Sequence, residues 1–278
     1  MNTLVQSIEQ GLKPLFSEKE SRSLAWWIAE EVTGKNQTQL LLDETDCKDT
    51  KYSSYIEKIL LRLQQKEPIQ YIFGHTCWRG LDLKVTPATL IPRPETAELV
   101  DWILGEHSSP VKILDIGTGS GCIALALKSS RPLWDVHAID ISEKALAVAK
   151  ENAQRLALDV TFIQDDVLNH QSPITNQPYD VVVSNPPYVR PSDEVGESVR
   201  LHEPHSALFV PEDDPLLFYR AIAQFAANAL RPQGSLFFEL NPLYADDLAQ
   251  MLRMMSYRDI SIRRDQFGNP RFLKATKI

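Results

Sequence analysis

The sequence predicts an α/β fold: a seven-stranded, mostly parallel sheet with a C-terminal antiparallel hairpin, preceded by a small helical domain. Three observations carry this expectation. From Val111 onward, short apolar runs alternate with amphipathic helical segments, the pattern of βαβ units on a parallel sheet. Before about residue 70, apolar residues recur at helical spacing, with no strand-like alternation. Near the end, two strand-like runs flank Gly268-Asn269-Pro270, a stretch suited to a tight antiparallel return.

The 278 residues suffice for one substantial domain and a smaller one, and the expected division is a helical domain over 1–72, a β-hairpin linker over 73–90 and the sheet domain over 91–278. In the first part, Leu24–Ile28 and the set Tyr55, Ile56, Ile59, Leu60 and Leu63 form helical stripes, with Trp26 and Trp27 read as packing residues. It carries no glycine-rich or basic phosphate-binding element, so docking of a partner is its expected role. A β-like stretch follows over Tyr71–Val85, with Gly74 and Gly80 as turn residues. Pro92 and Pro94 keep the next segment extended, and Pro94 suits the first turn of a helix that buries Ala97, Val100, Ile103 and Leu104.

Strands are then expected at Lys112–Ile116, Val136–Ile139, Val160–Ile163, Asp180–Ser184 and Ser235–Leu240. The intervening helices are Cys122–Ser129, Ser142–Leu156, Pro215–Leu230 and Leu243–Met255, and the hairpin strands are Asp259–Arg263 and Arg271–Ala275.

Composition excludes several classes. No apolar run is long enough for a bilayer, and Met1–Ser7 lacks the basic-then-apolar pattern of an export signal. Cys47, Cys77 and Cys122 are scattered, with neither metal spacing nor a disulfide framework, as expected of half-buried thiols in a reducing cytoplasm. A net charge of −8 argues against a broad nucleic-acid-binding face. The basic residues Arg258, Arg263, Arg264, Arg271, Lys274 and Lys277 read as a solvated strand edge. The six histidines form no ligand cluster, so no metal is expected. The expectation is a cytoplasmic monomer that contacts neither membrane nor nucleic acid directly.

The first strand runs into Asp115-Ile116-Gly117-Thr118-Gly119-Ser120-Gly121, a turn that lets a ligand approach the main chain at the carboxyl end of the sheet. Asp140, ending the second strand, suits the two hydroxyls of a ribose, while Ser142 suits the N-cap of the following helix. After the third strand, Asp165 and Asp166 offer carboxylates to an adenine amino group, and Val167 offers cover for its ring. These features fit an adenosine carried by either a nicotinamide dinucleotide or S-adenosylmethionine. The acidic Asp115 favours the latter, because a carboxylate repels a pyrophosphate and attracts an ammonium and a sulfonium.

At the end of the fourth strand stands Ser184-Asn185-Pro186-Pro187-Tyr188. The Asn185 side-chain carbonyl and the Pro186 backbone carbonyl together offer acceptors for the two hydrogens of one NH₂ group. The successive prolines stiffen the loop, and Tyr188 is expected to give an aromatic face for a flat amide or base. Positioning of this kind suits methylation of a planar nitrogen, whose delocalised lone pair makes it a poor nucleophile. On these residues alone an amide and a nucleobase amine stand equally, and a non-catalytic adenosyl-binding module is a further alternative.

The two signatures resemble those of Rossmann-like class I methyltransferases acting on exocyclic or amide nitrogens. Pro68-Ile69-Gln70-Tyr71, Gly74, the run Pro87–Glu95, Glu203-Pro204 and Asp265-x-x-Gly268-x-x-Arg271 are similar, more narrowly, to the peptide chain release factor glutamine methyltransferases. The resemblance runs from about Glu67 to the end. It implies N5-methylation of the glutamine in the Gly-Gly-Gln loop of class 1 release factors, with a ribosomal-protein glutamine as another candidate. It further implies cofactor contacts at Gly117–Gly121, Asp140, Asp166, Val167 and Asn185, and glutamine binding at Asn185–Tyr188. Three departures from the family pattern stand out: Val210–Pro215 in place of a glycine-rich stretch, Asn241 in place of a common Gly, and Val167 where some relatives carry an aromatic. Arg93 and Glu95 are expected either to order the site entrance or to pair with each other.

Overall fold

The computed structural model describes residues 2–42, 50–169 and 178–278, which leaves Cys47 outside the described residues. The chain forms two compact units, Met1–Phe73 with Gly196–His202, and Gly74–Val195 with Glu203–Ile278.

In the first unit, α1 (Thr3–Leu12) buries Leu4, Val5, Ile8 and Leu12, the stripe that a 3.6-residue period places on one side. Asn2 caps it, Oδ1 accepting from Leu4 N–H at 2.9 Å. α2 (Glu18–Thr33) starts at Ser17 and ends at Gly34, whose φ of +68° is a left-handed C-cap. With α3 (Gln37–Leu42) and α4 (Thr50–Gln64), they enclose a core that includes Ile28, Leu40, Ile59 and Leu63.

The stretch Tyr71–Phe73, expected to be extended, is instead helical: α5 spans Ile69–Phe73. Pro68 starts this turn, its carbonyl accepting from Tyr71 and Ile72 N–H at 2.9 and 3.1 Å, and Ile69, Tyr71 and Ile72 are buried. Burial of that face overrides the β preference of Tyr, Ile and Phe. The unit also includes α9 (Glu197–His202), where His202 Nε2 lies 2.9 Å from the Gln65 carbonyl.

The second unit opens with the hairpin β1 (His75–Trp78) and β2 (Leu81–Lys84) around Gly80, followed by α6 (Thr96–Glu106). The main sheet is built from β3 (Lys112–Ile116), β4 (Asp135–Asp140), β5 (Thr161–Gln164), β6 (Tyr179–Ser184), β7 (Leu230–Glu239), β8 (Tyr257–Arg264) and β9 (Pro270–Lys277). Its order is β5-β4-β3-β6-β7-β9-β8. The first five strands run parallel, and β9 pairs antiparallel with both β7 and β8. β8 is thus an edge strand with Arg258, Arg263 and Arg264 exposed on it, whereas Arg271, Lys274 and Lys277, expected on the same solvated edge, lie half-buried on the interior strand β9.

Strand alternation sends Ile113, Val181, Val183 and Phe237 to one face, with α6 and α7 (Cys122–Ser130). Leu114, Val182, Leu236 and Phe238 go to the other, with α10 (Leu217–Ala229) and α11 (Ala245–Met254). α8 (Glu143–Arg155) is capped by Ser142, Oγ accepting from Ala145 N–H at 3.1 Å. Of the thiols, Cys77 is exposed rather than half-buried, while Cys122 is half-buried and burial pushes its thiol up to about 12. Among the described residues, no helix is long and apolar enough to cross a membrane.

Candidate active site

Four parallel strands deliver their carboxyl ends to one cavity of about 290 Å³. β3 contributes Gly117, Thr118, Gly119 and Ser120, β4 contributes Asp140, the segment after β5 contributes Asp165, Asp166, Val167 and Leu168, and β6 contributes Asn185, Pro186 and Pro187. Ligands bind at this edge of an open parallel sheet because neighbouring strand ends diverge there.

Gly117, Gly119 and Gly121 take φ values of +74°, +57° and +84°, a region that a Cβ makes costly. Ile139 O accepts from Gly117 and Thr118 N–H at 2.9 and 3.0 Å, tying the turn to β4. Asp140 continues the tie, Oδ2 accepting from Gly119 N–H at 2.8 Å and Oδ1 from Ser142 N–H at 2.9 Å. Each carboxylate oxygen keeps a lone pair for a further donor. Burial holds the Asp140 carboxyl above its ordinary range. From behind, the fully buried Asn152 donates to Ser120 O at 2.9 Å and exchanges hydrogen bonds with the Lys84 backbone.

Two residues of the sequence-predicted set do not line the cavity at this end. Gly121 faces α7 and α8, and Asp115 lies behind the turn at 0 % exposure. Thr118 Oγ1 donates to Asp115 Oδ2 at 2.7 Å. Asp115 Oδ1 has no hydrogen-bond partner among the described residues, and burial raises the carboxyl to about 7. Nothing lies within 4 Å of the position a Cβ would take on Gly117 or Gly119. An open glycine cradle above a buried acidic group suits a ligand with a cationic centre, and the half-buried Asp140 suits its ribose. The chain's residues therefore fit S-adenosylmethionine.

Beyond β5, the Asp166 carboxylate organises its own turn, accepting from Leu168 N–H at 2.9 Å and from Asn169 Nδ2 at 3.1 Å. Val167 and Leu168 supply apolar wall, facing Ile141 and Ile139 of the β4 side.

Asn185 is half-buried and donates from Nδ2 to Thr96 Oγ1 at 3.3 Å. Thr96 in turn donates to Glu239 Oε2 at 2.6 Å, and the Tyr188 hydroxyl donates to Glu239 Oε1 at 3.3 Å. Glu239 is 1 % exposed, and burial holds its carboxyl above the usual range. The tether explains a correction: Tyr188 packs against the core of β7 and α10 and is absent from the cavity wall, where Phe209, Phe218 and Ile222 stand instead. Sequence reading did not find Thr96, Glu239, Phe209 or Phe218. A glutamate inside the apolar run Leu236–Leu240 is a signal for Glu239 alone.

The departures noted above are accommodated by specific contacts. Asn241 Nδ2 donates to the Tyr188 carbonyl at 3.2 Å, a bond no glycine makes. In 210–215, Asp214 receives both Arg220 guanidinium nitrogens at 2.9 and 3.0 Å, and Glu212 receives Ser192. Arg93 pairs with Glu203 at 2.7 Å rather than with Glu95.

Residues 97–200 match the family model described as methyltransferase small domain, and residues 5–74 match the PrmC N-terminal domain. A release factor glutamine methyltransferase of Bacteroides thetaiotaomicron is 42% identical over 279 residues, covering 100% of both chains. One of Streptococcus pneumoniae is 37% identical, covering 97% of this chain and 96% of its own. A crystal structure of a methyltransferase from Pyrococcus furiosus superposes with a TM-score of 0.54 at 18% identity, over 80% of this chain and 98% of that one, a likeness of fold.

Proposed function

We propose a function from one premise: the chain belongs to the release factor glutamine methyltransferase family. It transfers a methyl group from S-adenosylmethionine to the side-chain amide nitrogen of a glutamine, the one in the Gly-Gly-Gln loop of class 1 release factors. The observation that carries the chemistry is the Asn185 amide, which turns its nitrogen to Thr96 and so keeps the acceptor Oδ1 on its other side for a ligand.

S-adenosylmethionine, when bound, supplies an electrophilic methyl group on a sulfonium. The residues that would hold it are Gly117–Ser120 along the turn, Asp140 toward its ribose, and Asp166 with Val167 toward its adenine, with Asp115 behind the turn.

Asn185 Oδ1 and the Pro186 carbonyl accept the two hydrogens of the glutamine NH₂ group, which fixes the plane of the amide. Two acceptors also draw electron density toward nitrogen, strengthening the nucleophile as its hydrogens become more acidic. The proton lost on alkylation leaves along one of these two hydrogen bonds to solvent, so no strong base is required. Phe209 and Phe218 add aromatic wall to the cavity that receives the amide, and Pro186-Pro187 keeps the acceptors from drifting.

Mass spectrometry of a class 1 release factor after incubation with the protein and S-adenosylmethionine tests this reading. One added methyl group is expected on the Gly-Gly-Gln peptide. Label entering only a ribosomal protein or DNA would sink it.

A further inference from the structure

Asparagine's amide ends are nearly equal in size, so packing cannot select which one meets a ligand; only hydrogen-bond polarity can. At Asn185 that polarity is dictated from two residues away. Glu239 ends β7 at 1 % exposure between Phe238 and Leu240, a position where an apolar residue would pack without the cost of burying a carboxylate. Its two oxygens accept from the Thr96 and Tyr188 hydroxyls. The single hydroxyl hydrogen of Thr96 is therefore spent on Glu239 at 2.6 Å. What remains on Thr96 Oγ1 is a lone pair, and it receives Asn185 Nδ2 at 3.3 Å.

We propose that Glu239 and Thr96 form a polarity clamp, a pair of positioning residues that hold Asn185 with its carbonyl oxygen directed to the methyl-accepting amide. Neither residue needs to touch the reacting atoms. The inference rests on the reading of Asn185 as an acceptor and deepens it by assigning what keeps it one. Glutamine at position 239 replaces one of the two acceptors with a donor: with its NH₂ toward Thr96, the hydroxyl turns its hydrogen toward Asn185, and the asparagine then meets the substrate with a donor. Two donors face each other, and the amide is no longer held.

Three variants test it, each assayed for methylation of a release factor and for S-adenosylmethionine affinity by calorimetry. Glu239→Gln and Thr96→Val are expected to lower kcat about 10- to 100-fold, the scale of one well-placed hydrogen bond. Cofactor affinity stays within about threefold, since neither residue belongs to the glycine turn. Thr96→Ser keeps the hydroxyl and is expected to restore kcat to within about threefold of wild type, which a role in packing the Thr96 methyl would not do. Thr96→Val at wild-type kcat, or Thr96→Ser as poor as Thr96→Val, overturns the clamp.

A second readout needs no turnover. The Asn185 side-chain amide protons, assigned by their loss in Asn185→Ala, are expected to show a nuclear Overhauser contact to Thr96 in wild type and Thr96→Ser and to lose it in Glu239→Gln. No such contact in wild type overturns the clamp even if the substrate assignment stands. Wild-type protein that leaves the release factor unmethylated removes the substrate reading instead, and the amide contact then decides the clamp by itself.

Discussion

The Glu203 carboxylate, its side chain 1 % exposed, receives Arg93 Nη2 at 2.7 Å and Ile91 N–H at 3.2 Å. One buried acidic group thus fastens the segment Leu90–Arg93, which lines the cavity, from a position 110 residues away. Trp78 Nε1 donates to the Arg93 carbonyl at 2.8 Å and holds the same segment from the hairpin. Glu203→Ala leaves a buried N–H and a guanidinium without their acceptor. Because Arg93 is about a third exposed and can rehydrate, the expected loss is about 2 kcal/mol rather than the larger cost of a fully buried broken pair. Urea denaturation measures it, and a change under about 0.5 kcal/mol would mean that the brace contributes nothing.

Asp115 yields a prediction whose size depends on pH. Burial raises its carboxyl from 3.8 to about 7, so between those values the folded chain holds a proton that the unfolded chain has released. Stability from this group is full below about pH 4 and is lost as pH rises through about 7. Asp115→Asn removes the titration, so at pH 8 it is expected to stabilise the ligand-free protein by roughly 2–4 kcal/mol, and by almost nothing at pH 4. Affinity for the cationic S-adenosylmethionine is expected to fall in the same variant. Thermal unfolding at both pH values and calorimetry check the two arms. A variant less stable than wild type at pH 8 contradicts the assignment.

Much of this fold follows from local pattern. The buried runs from Lys112, Val136 and Asp180 have the length and composition of parallel strands, and the glycine turn and Asn185-Pro186-Pro187 fall at their ends because strand ends are where the pattern breaks. Relations across long separations left no such trace. Thr96 and Glu239 are 143 positions apart, and only the misfit of a carboxylate between Phe238 and Leu240 marks the pair. Tyr188 reads as a free aromatic because the motif shows its ring and conceals the acceptor that holds its hydroxyl. Tyr71–Phe73 reads as a strand because β propensity reports side-chain packing, which in this chain favours a helical turn beginning at Pro68.

Gly121 is the glycine whose replacement should be felt by the scaffold rather than by the ligand. Its φ is +84°, and an added Cβ would lie 3.0 Å from Leu125 Cδ1 and 3.2 Å from Ala149 Cβ on α8. Leu125 can shift, but Ala149 moves only with its helix. Gly121→Ala is expected to cost about 2 kcal/mol or more, summing left-handed strain and overpacking. Gly119→Ala meets only open space, so its cost is expected near 1 kcal/mol, with the damage appearing in cofactor affinity instead. Equal stability losses in the two variants, measured by urea denaturation, would refute this division of labour.

Asn185→Ala separates holding the amide from holding the cofactor. The substitution removes the acceptor and leaves Thr96 Oγ1 without a donor, while Pro186 and Pro187 keep the loop in shape. If Asn185 acts on the reacting nitrogen, kcat is expected to fall about 100- to 1,000-fold, the scale for deleting one preorganised hydrogen-bonding group at a reacting centre. S-adenosylmethionine affinity should weaken less than about tenfold, because the turn, Asp140 and the Val167 wall are untouched. A loss confined to cofactor affinity, with kcat preserved at saturation, would make Asn185 a wall of the donor pocket and leave the Pro186 carbonyl alone to orient the glutamine. That result would also remove the reason for an acceptor at this position, and with it the need for Thr96 to present a lone pair rather than a hydrogen.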